Sequence, residues 1–189
     1  MAKNKKPSAL KPFSFPPKTF DTAVMTEYEP PTQILSYLFL GPGTCSQDKK
    51  WLEDNNIGGI INVTRTIPCT FPEDYEYLQI KIADIWNQDL LGHLDLSYEF
   101  IERIKISGKS VLIHCAAGIS RSSAVTVAYL MNINMDLIEE SSRNKETVPK
   151  DAPLNILDRA LLFVEGKRHI DINLDFMGQL LMYHKILTS

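Results

Sequence analysis

The chain has 189 residues, 44% hydrophobic and 23% charged, which fits one globular domain with a sizeable core and argues against a second full domain. Its net charge of −3 and pI near 5.8 provide no global attraction for nucleic acid, so any anion it binds must be held locally. No apolar run approaches the roughly 18 residues of a membrane span, and the Lys-rich start lacks the apolar segment of a secretory signal.

Cys45, Cys69 and Cys115 form an odd, widely spaced set without a CxxC pair, which fits neither a disulfide framework nor a zinc site. The expectation is a soluble chain in a reducing compartment, the cytoplasm first and the nucleus second, without membrane or nucleic-acid partners.

Residues 1–31 hold six of the eleven prolines and a Lys cluster at positions 3, 5, 6 and 11, with no sustained period, and read as a loosely docked arm. From Thr32 the pattern changes. "ILSYLFLG" predicts a strand pair closed by Gly41-Pro42-Gly43, and "SQDKKWLEDNN" a short helix with Ser46 as its N-cap. "GGIINVT" reads as a buried strand. "YEYLQIKIAD" alternates Leu78, Ile80 and Ile82 against Gln79 and Lys81, the period of a half-buried strand that runs into Asp84. "LDLSYEFIERIKISG" puts Leu96, Phe100, Ile101 and Ile104 on one helical face and stops at Gly108.

"SVLIH" is a short apolar strand, and "SSAVTVAYLMN" is apolar all round, as in a buried helix. The polar stretch with Pro149 and Pro153 breaks any long helix, and an insertion is read over 133–156. Two amphipathic helices close the chain, with Leu157, Leu161 and Leu162 on the apolar face of the first, and Phe176, Leu180, Leu181 and Tyr183 on that of the second. Alternating strands and helices predict an α/β fold, a central, mostly parallel twisted sheet flanked by helices, with ligands at the carboxyl ends of its strands.

The turn after Ile113 lies at that position. Its sequence, His114-Cys115-Ala116-Ala117-Gly118-Ile119-Ser120-Arg121, sets a cysteine and an arginine six positions apart between a strand and a helix. Backbone N–H groups of such a loop can converge on an anion, and the following helix adds its positive end. Arg121 offers a planar fork for two oxygens of a tetrahedral oxyanion, and Gly118 permits the tight turn. The same positive surroundings depress the pKa of Cys115, making its thiolate available as a nucleophile, and Ser122 is placed to donate to the sulfur.

This His-Cys-x5-Arg-Ser string resembles that of the cysteine-dependent protein tyrosine phosphatases, and within them the dual-specificity branch. The stretch from "ILSYLFLG" to "IINVT" is similar to the opening of that domain. "IKIADIWNQDL" and "INLDFMGQLLMYHKIL" are especially similar to MAP kinase phosphatases, so the resemblance covers about residues 32–189. It implies a protein tyrosine phosphatase-like fold and a phosphocysteine mechanism. Cys115 attacks phosphorus, the backbone from Ala116 through Ala117, Gly118, Ile119 and Ser120 to Arg121 holds the phosphoryl oxygens together with the Arg121 side chain, and Asp84 acts as acid, then base. Asp89 stays open as an alternative acid. Ser122 steadies the thiolate, His114 orients the loop and helps set the thiolate pKa, and Asn173 braces the loop. No metal or other cofactor is implied. The partner implied is a phosphoprotein, with a MAP kinase as the candidate.

The sequence departs from this pattern in two places. Ile172 stands where the family usually has proline before the asparagine, which bears on the rigidity of the brace. The 133–156 segment is longer than usual by nearly twenty residues, either a solvated loop or a partner surface. The basic residues before Leu10 resemble a kinase-docking stretch, with a solubilising tail as the alternative. Cys45 or Cys69 could pair with Cys115, or simply pack. Three functions compete: a dual-specificity protein phosphatase, a phospho-binding adaptor without turnover, and the same chemistry on a non-protein phosphate. Intact Cys115, Arg121 and Asp84 favour the first over the second, and the lack of any extra Lys in the loop weighs against a highly charged phosphoinositide head group.

Overall fold

The apolar segments pair into one five-stranded sheet in a computed structural model that describes residues 30–133 and 154–189. β1 (Thr32–Leu35) and β2 (Leu38–Pro42) form a hairpin, β3 (Ile57–Asn62) and β4 (Glu76–Gln79) follow, and β5 (Ser110–Cys115) inserts between β2 and β3. The order is therefore β1-β2-β5-β3-β4, with the β1–β2 pairing antiparallel and the other three parallel.

Side-chain alternation sends each central strand to two cores. Leu38, Leu40, Ile61, Val111 and Ile113 face a large core shared with α2 (Leu94–Ile106), α3 (Arg121–Asn132), α4 (Ile156–Glu165) and α5 (Leu174–Leu187). Phe39, Ile60 and Leu112 belong to a smaller cluster with Leu52 of α1 (Lys49–Asp54). Burial on both faces is why β5 reads as an unbroken apolar run, and each such side chain contributes about 1.5–3 kcal/mol. The result is the α/β sheet flanked by helices that the sequence predicts, with β5 central and its carboxyl end delivering Cys115.

Helix α3 is buried along its length, from Ser122 to Met131. Its far end is anchored by polar contacts: Tyr129 donates to Glu102 at 2.6 Å and shares a 2.7 Å hydrogen bond with Tyr37, while Asn132 donates to the Tyr183 oxygen at 2.5 Å. Among the described residues no helix is long and apolar enough to cross a membrane.

Several local expectations need correction. Asp48, not Ser46, caps α1 by accepting from the Trp51 N–H, while Ser46 donates to the Gly43 carbonyl inside a 3-10 turn over Gly43–Gln47. Gly41 and Pro42 still belong to β2 rather than to a closing turn. The strand ladder at 75–84 stops at Gln79, although Ile80 and Ile82 remain buried beyond it. Leu94 and Ser97 replace Leu96 on the inner face of α2, Leu181 points outward on α5, and in α4 Ala160, Phe163 and Val164 bury where Leu161 and Leu162 are only half-buried. The arm at 1–31 lies outside the described residues except for Pro30 and Pro31, and the 133–156 insertion likewise except for Ile133 and residues 154–156.

Gly59 shows how tightly α2 lies on β3: a Cβ there would sit 2.7 Å from Ile104 and 2.8 Å from the Phe100 ring. Gly59→Ala should therefore lower stability by about 1–3 kcal/mol through overpacking. In urea denaturation the midpoint should fall while the slope stays constant.

Candidate active site

The carboxyl end of β5 turns directly into α3 through residues 116–120, and the direction of that turn is fixed by hydrogen bonds from outside the loop. The Ala116 carbonyl accepts from the Gly43 N–H at 3.1 Å, and the Ile119 carbonyl from the Asp171 N–H at 3.1 Å. Arg168 donates to the Ala117 carbonyl at 3.3 Å and to the Gly118 carbonyl at 2.9 Å. With four successive carbonyls satisfied outward, the N–H groups are left to face the concave side, the arrangement that binds anions. Gly118 is obligatory here. Its φ is +70°, and a Cβ would fall 2.5 Å from the Gly41 carbonyl carbon.

The sulfur of Cys115 lies buried at the base of the loop. It accepts from the Gly118 N–H at 3.2 Å and from the Ser122 hydroxyl at 3.2 Å. Burial alone would raise the thiol pKa. The hydroxyl of Ser122, the backbone N–H groups of Ser122 and Ile119, and the Arg121 charge outweigh it and hold Cys115 below the ordinary thiol value. His114 lies wholly inside, and burial pushes its pKa down to about 4. It is therefore a neutral ring near pH 7, with Nδ1 3.2 Å from the Cys115 carbonyl. It can orient the backbone beside the nucleophile, but it brings no positive charge to the thiolate.

Asp84 lies against the other side of the loop. Its Oδ1 accepts from the Ser120 hydroxyl at 2.8 Å and from the Asn173 amide at 2.6 Å, while its Oδ2 is 3.5 Å from Arg121 Nε. Arg121 also donates to the Ile82 carbonyl at 3.4 Å, yet its buried Nε lacks an acceptor with hydrogen-bond geometry among the described residues. Ser120, at the N-cap of α3, directs its hydroxyl to Asp84 and makes no side-chain cap to that helix. Asp89, the alternative acid, accepts instead from the Gly92 N–H at 2.8 Å in its own turn.

Asn173 does more than brace the loop. It caps α5 by accepting from the Phe176 N–H at 2.9 Å, and its own N–H donates to Ser120 Oγ at 3.3 Å. Three named contacts thus hold it with isoleucine in front instead of proline. Cys45 packs with Phe39 and Leu52 in the smaller core while Cys115 belongs to the larger, and Cys69 is half-buried near Asn62.

Sequence reasoning missed three supporting residues. Arg168, only 5% exposed, follows α4 and was not singled out from the sequence. Its place is between the loop and the start of β1, where it also reaches Thr32 Oγ1 at 3.3 Å. Gln88 accepts from the Ala83 N–H at 3.1 Å and from Arg65 at 2.6 Å, closing the acid segment on itself. Gln179 ties that segment to α5, accepting from the Leu90 and Leu91 N–H groups and donating to the Gln88 carbonyl, each at 2.8 Å. The remaining signal in the sequence was the polarity of Gln179 on a helix that is otherwise largely apolar.

A family model described as the dual specificity phosphatase catalytic domain matches residues 38–143. Dual specificity protein phosphatase 16 of Homo sapiens is 37% identical over 164 residues, which is 84% of this chain and 21% of that protein. Dual specificity protein phosphatase Mpk3 of Drosophila melanogaster is 36% identical over 162 residues, 84% of this chain and 35% of that protein. The chain thus spans between a fifth and about a third of these curated relatives. Among solved structures, a mouse putative dual specificity phosphatase complexed with zinc tungstate superposes with a TM-score of 0.69 at 28% identity, covering 88% of this chain and 95% of that one.

Two measurements test the site. Ser122→Ala removes the largest contribution that lowers the Cys115 pKa, so the pH profile of iodoacetamide alkylation should move to higher pH relative to wild type. Arg168→Met leaves the Ala117 carbonyl without its donor and the Gly118 carbonyl with only the Ser123 hydroxyl at 3.5 Å, and should cost about 1–3 kcal/mol in thermal or chemical unfolding.

Proposed function

The chain belongs to the dual specificity phosphatase family, and on that premise we propose that it hydrolyses phosphotyrosine and phosphoserine or phosphothreonine in proteins, with a MAP kinase as the candidate substrate. The observation that carries the reading is the constellation around one loop: a sulfur held by Ser122 and Gly118, and a carboxylate tied through Ser120 and Asn173 beside Arg121.

The geometry suits an in-line displacement. A phosphoryl group bound by the loop N–H groups from Ala116 to Arg121 takes over the Arg121 guanidinium as a planar partner for two of its oxygens. The Cys115 thiolate attacks phosphorus, forming the S–P bond as the P–O bond to the leaving side chain breaks. Asp84 in its acid form gives its proton to that oxygen. Water then attacks the phosphocysteine, loses a proton to the Asp84 carboxylate and releases inorganic phosphate, restoring the thiolate. Ser122 donates to the sulfur throughout, and most strongly when it leaves as an anion. Neutral His114 and Asn173 position these groups without taking the proton.

The relatives support the choice of substrate class, since their names denote dual-specificity protein phosphatases. The mouse relative's complex contains tungstate, itself a tetrahedral oxyanion. Residues 116–120 contain no Lys or Arg, which fits a singly phosphorylated side chain better than a polyphosphorylated head group.

Phosphate release from an aryl phosphate and from a peptide phosphorylated on Thr and Tyr tests the proposal. Cys115→Ser should abolish turnover, and Arg121→Ala should weaken it severely. On the peptide, Asp84→Ala should cost on the order of a hundredfold or more, whereas Asp89→Ala should have a small effect. A wild-type chain that binds the peptide and releases no phosphate would replace this reading with that of a phospho-binding adaptor.

A further inference from the structure

Exposed apolar side chains that lie together mark binding surfaces, and three of them cluster at one edge of this site. Ile85 is 58% and Trp86 85% exposed, directly after Asp84, and Leu174 is 89% exposed, directly after Asn173. Asp84 and Asn173 are themselves joined by a 2.6 Å hydrogen bond. Two residues of chain span at most about 7 Å, so all three side chains originate within one side chain's reach of the carboxylate.

The segment that carries Ile85 and Trp86 is tightly held. Its base is closed by the Ala83 N–H donating to Gln88 and is tied to α5 by Gln179. Asn87 turns the chain in the left-handed region at φ +59°. Asp84 fixes the other end through Ser120, Asn173 and the neighbouring Arg121. The backbone under the indole is therefore already ordered, which lowers the cost of a contact made there. Leu174 is equally fixed, as the first residue of α5 behind its Asn173 cap.

We propose that Ile85, Trp86 and Leu174 form a specificity rim that takes a bulky apolar residue of the substrate next to the phosphoresidue. The proposal rests on the phosphatase reading, because it is the bound phosphoryl group that brings the flanking residue to this edge. The occupant is a peptide segment rather than a small phosphate ester, since an ester leaves the rim uncovered. The surface is continuous with the anion loop, and the rim's own side chains are uncharged, so an aliphatic or aromatic neighbour gains contact area there. An acidic neighbour gains none and would give up water to lie against apolar side chains.

The test uses phosphotyrosine peptides that differ only by Leu or Asp at each of the two positions on either side, with p-nitrophenyl phosphate as a substrate that lacks flanking residues. Wild type should favour Leu over Asp by about tenfold in kcat/KM at one or more positions. Trp86→Ala combined with Leu174→Ala should bring that ratio towards one, whereas Ile106→Ala, an equally bare apolar side chain at the distant end of α2, should leave it unchanged. Peptide binding followed by fluorescence anisotropy gives the same ratio independently of turnover. Equal values for Leu and Asp at all four positions in wild type, or a ratio that survives the double variant, would overturn the rim. Failure to hydrolyse p-nitrophenyl phosphate together with a Leu preference in binding would overturn the phosphatase reading and leave the rim standing.

Discussion

The site depends on a backbone constraint: the loop from Ala116 to Ser120 must hold its carbonyls outward. Four donors, from Gly43, Arg168 twice and Asp171, satisfy the carbonyls of Ala116, Ala117, Gly118 and Ile119. An unpaired buried carbonyl would otherwise turn back towards the concave face or recruit water, at a cost of about 1–3 kcal/mol each. Gly118 completes the constraint, because the loop passes too near Gly41 and Pro42 for any side chain. Nucleophile, anion cradle and helix terminus follow from this one conformation. The donors come from two distant parts of the chain, the turn after β2 and the connection between α4 and α5, so the local motif acquires its shape from the wider fold.

The electrostatics follow from the same geometry. The Cys115 sulfur is buried, which by itself favours the neutral thiol, and yet its pKa is held below the usual value. The balance is tipped mainly by oriented hydrogen-bond donors at short range, with the Arg121 charge the last of the named contributions. A protonated His114 would have offered more charge, but His114 stands on the central strand β5, paired with Gly41 of β2 and Asn62 of β3, and burial keeps its ring neutral. Fixed dipoles aimed at the sulfur need no reorganisation to stabilise negative charge there.

Much of this was legible because the information is local. The strand-loop-helix string at 111–131 carries its own period, turn glycine and polar insertion, and its two-sided burial follows from β5 being central. The assignment of buried faces on amphipathic helices was less legible. Leu96 and Leu181 have the right spacing, but neighbouring Leu94 and Leu180 already fill the inner face, and periodicity alone cannot choose between adjacent registers. Ser46 and Asp48 illustrate the same limit, since both are good caps and only the 3-10 turn over Gly43–Gln47 decides between them. Least legible were Arg168, Gln88 and Gln179, whose partners are 50 or more residues away for Arg168 on the loop carbonyls and about 90 for Gln179 on the acid segment. No local pattern announces such a contact.

The brace around Asn173 shows how a departure from a family pattern can be absorbed. A proline before the asparagine would restrict the chain entering α5, yet here Ile172 precedes it and Asn173 is held by hydrogen bonds. Asn173 accepts from Phe176, gives its N–H to Ser120 and gives its amide to Asp84. Each contact joins a different element: the last helix, the anion loop and the acid segment. Gln179, about one and a half turns further along α5, binds the far end of that acid segment through three more. One face of α5 therefore ties the segment that carries Asp84 to the anion loop, and the exposed Leu174 at its start is carried into position by the same contacts.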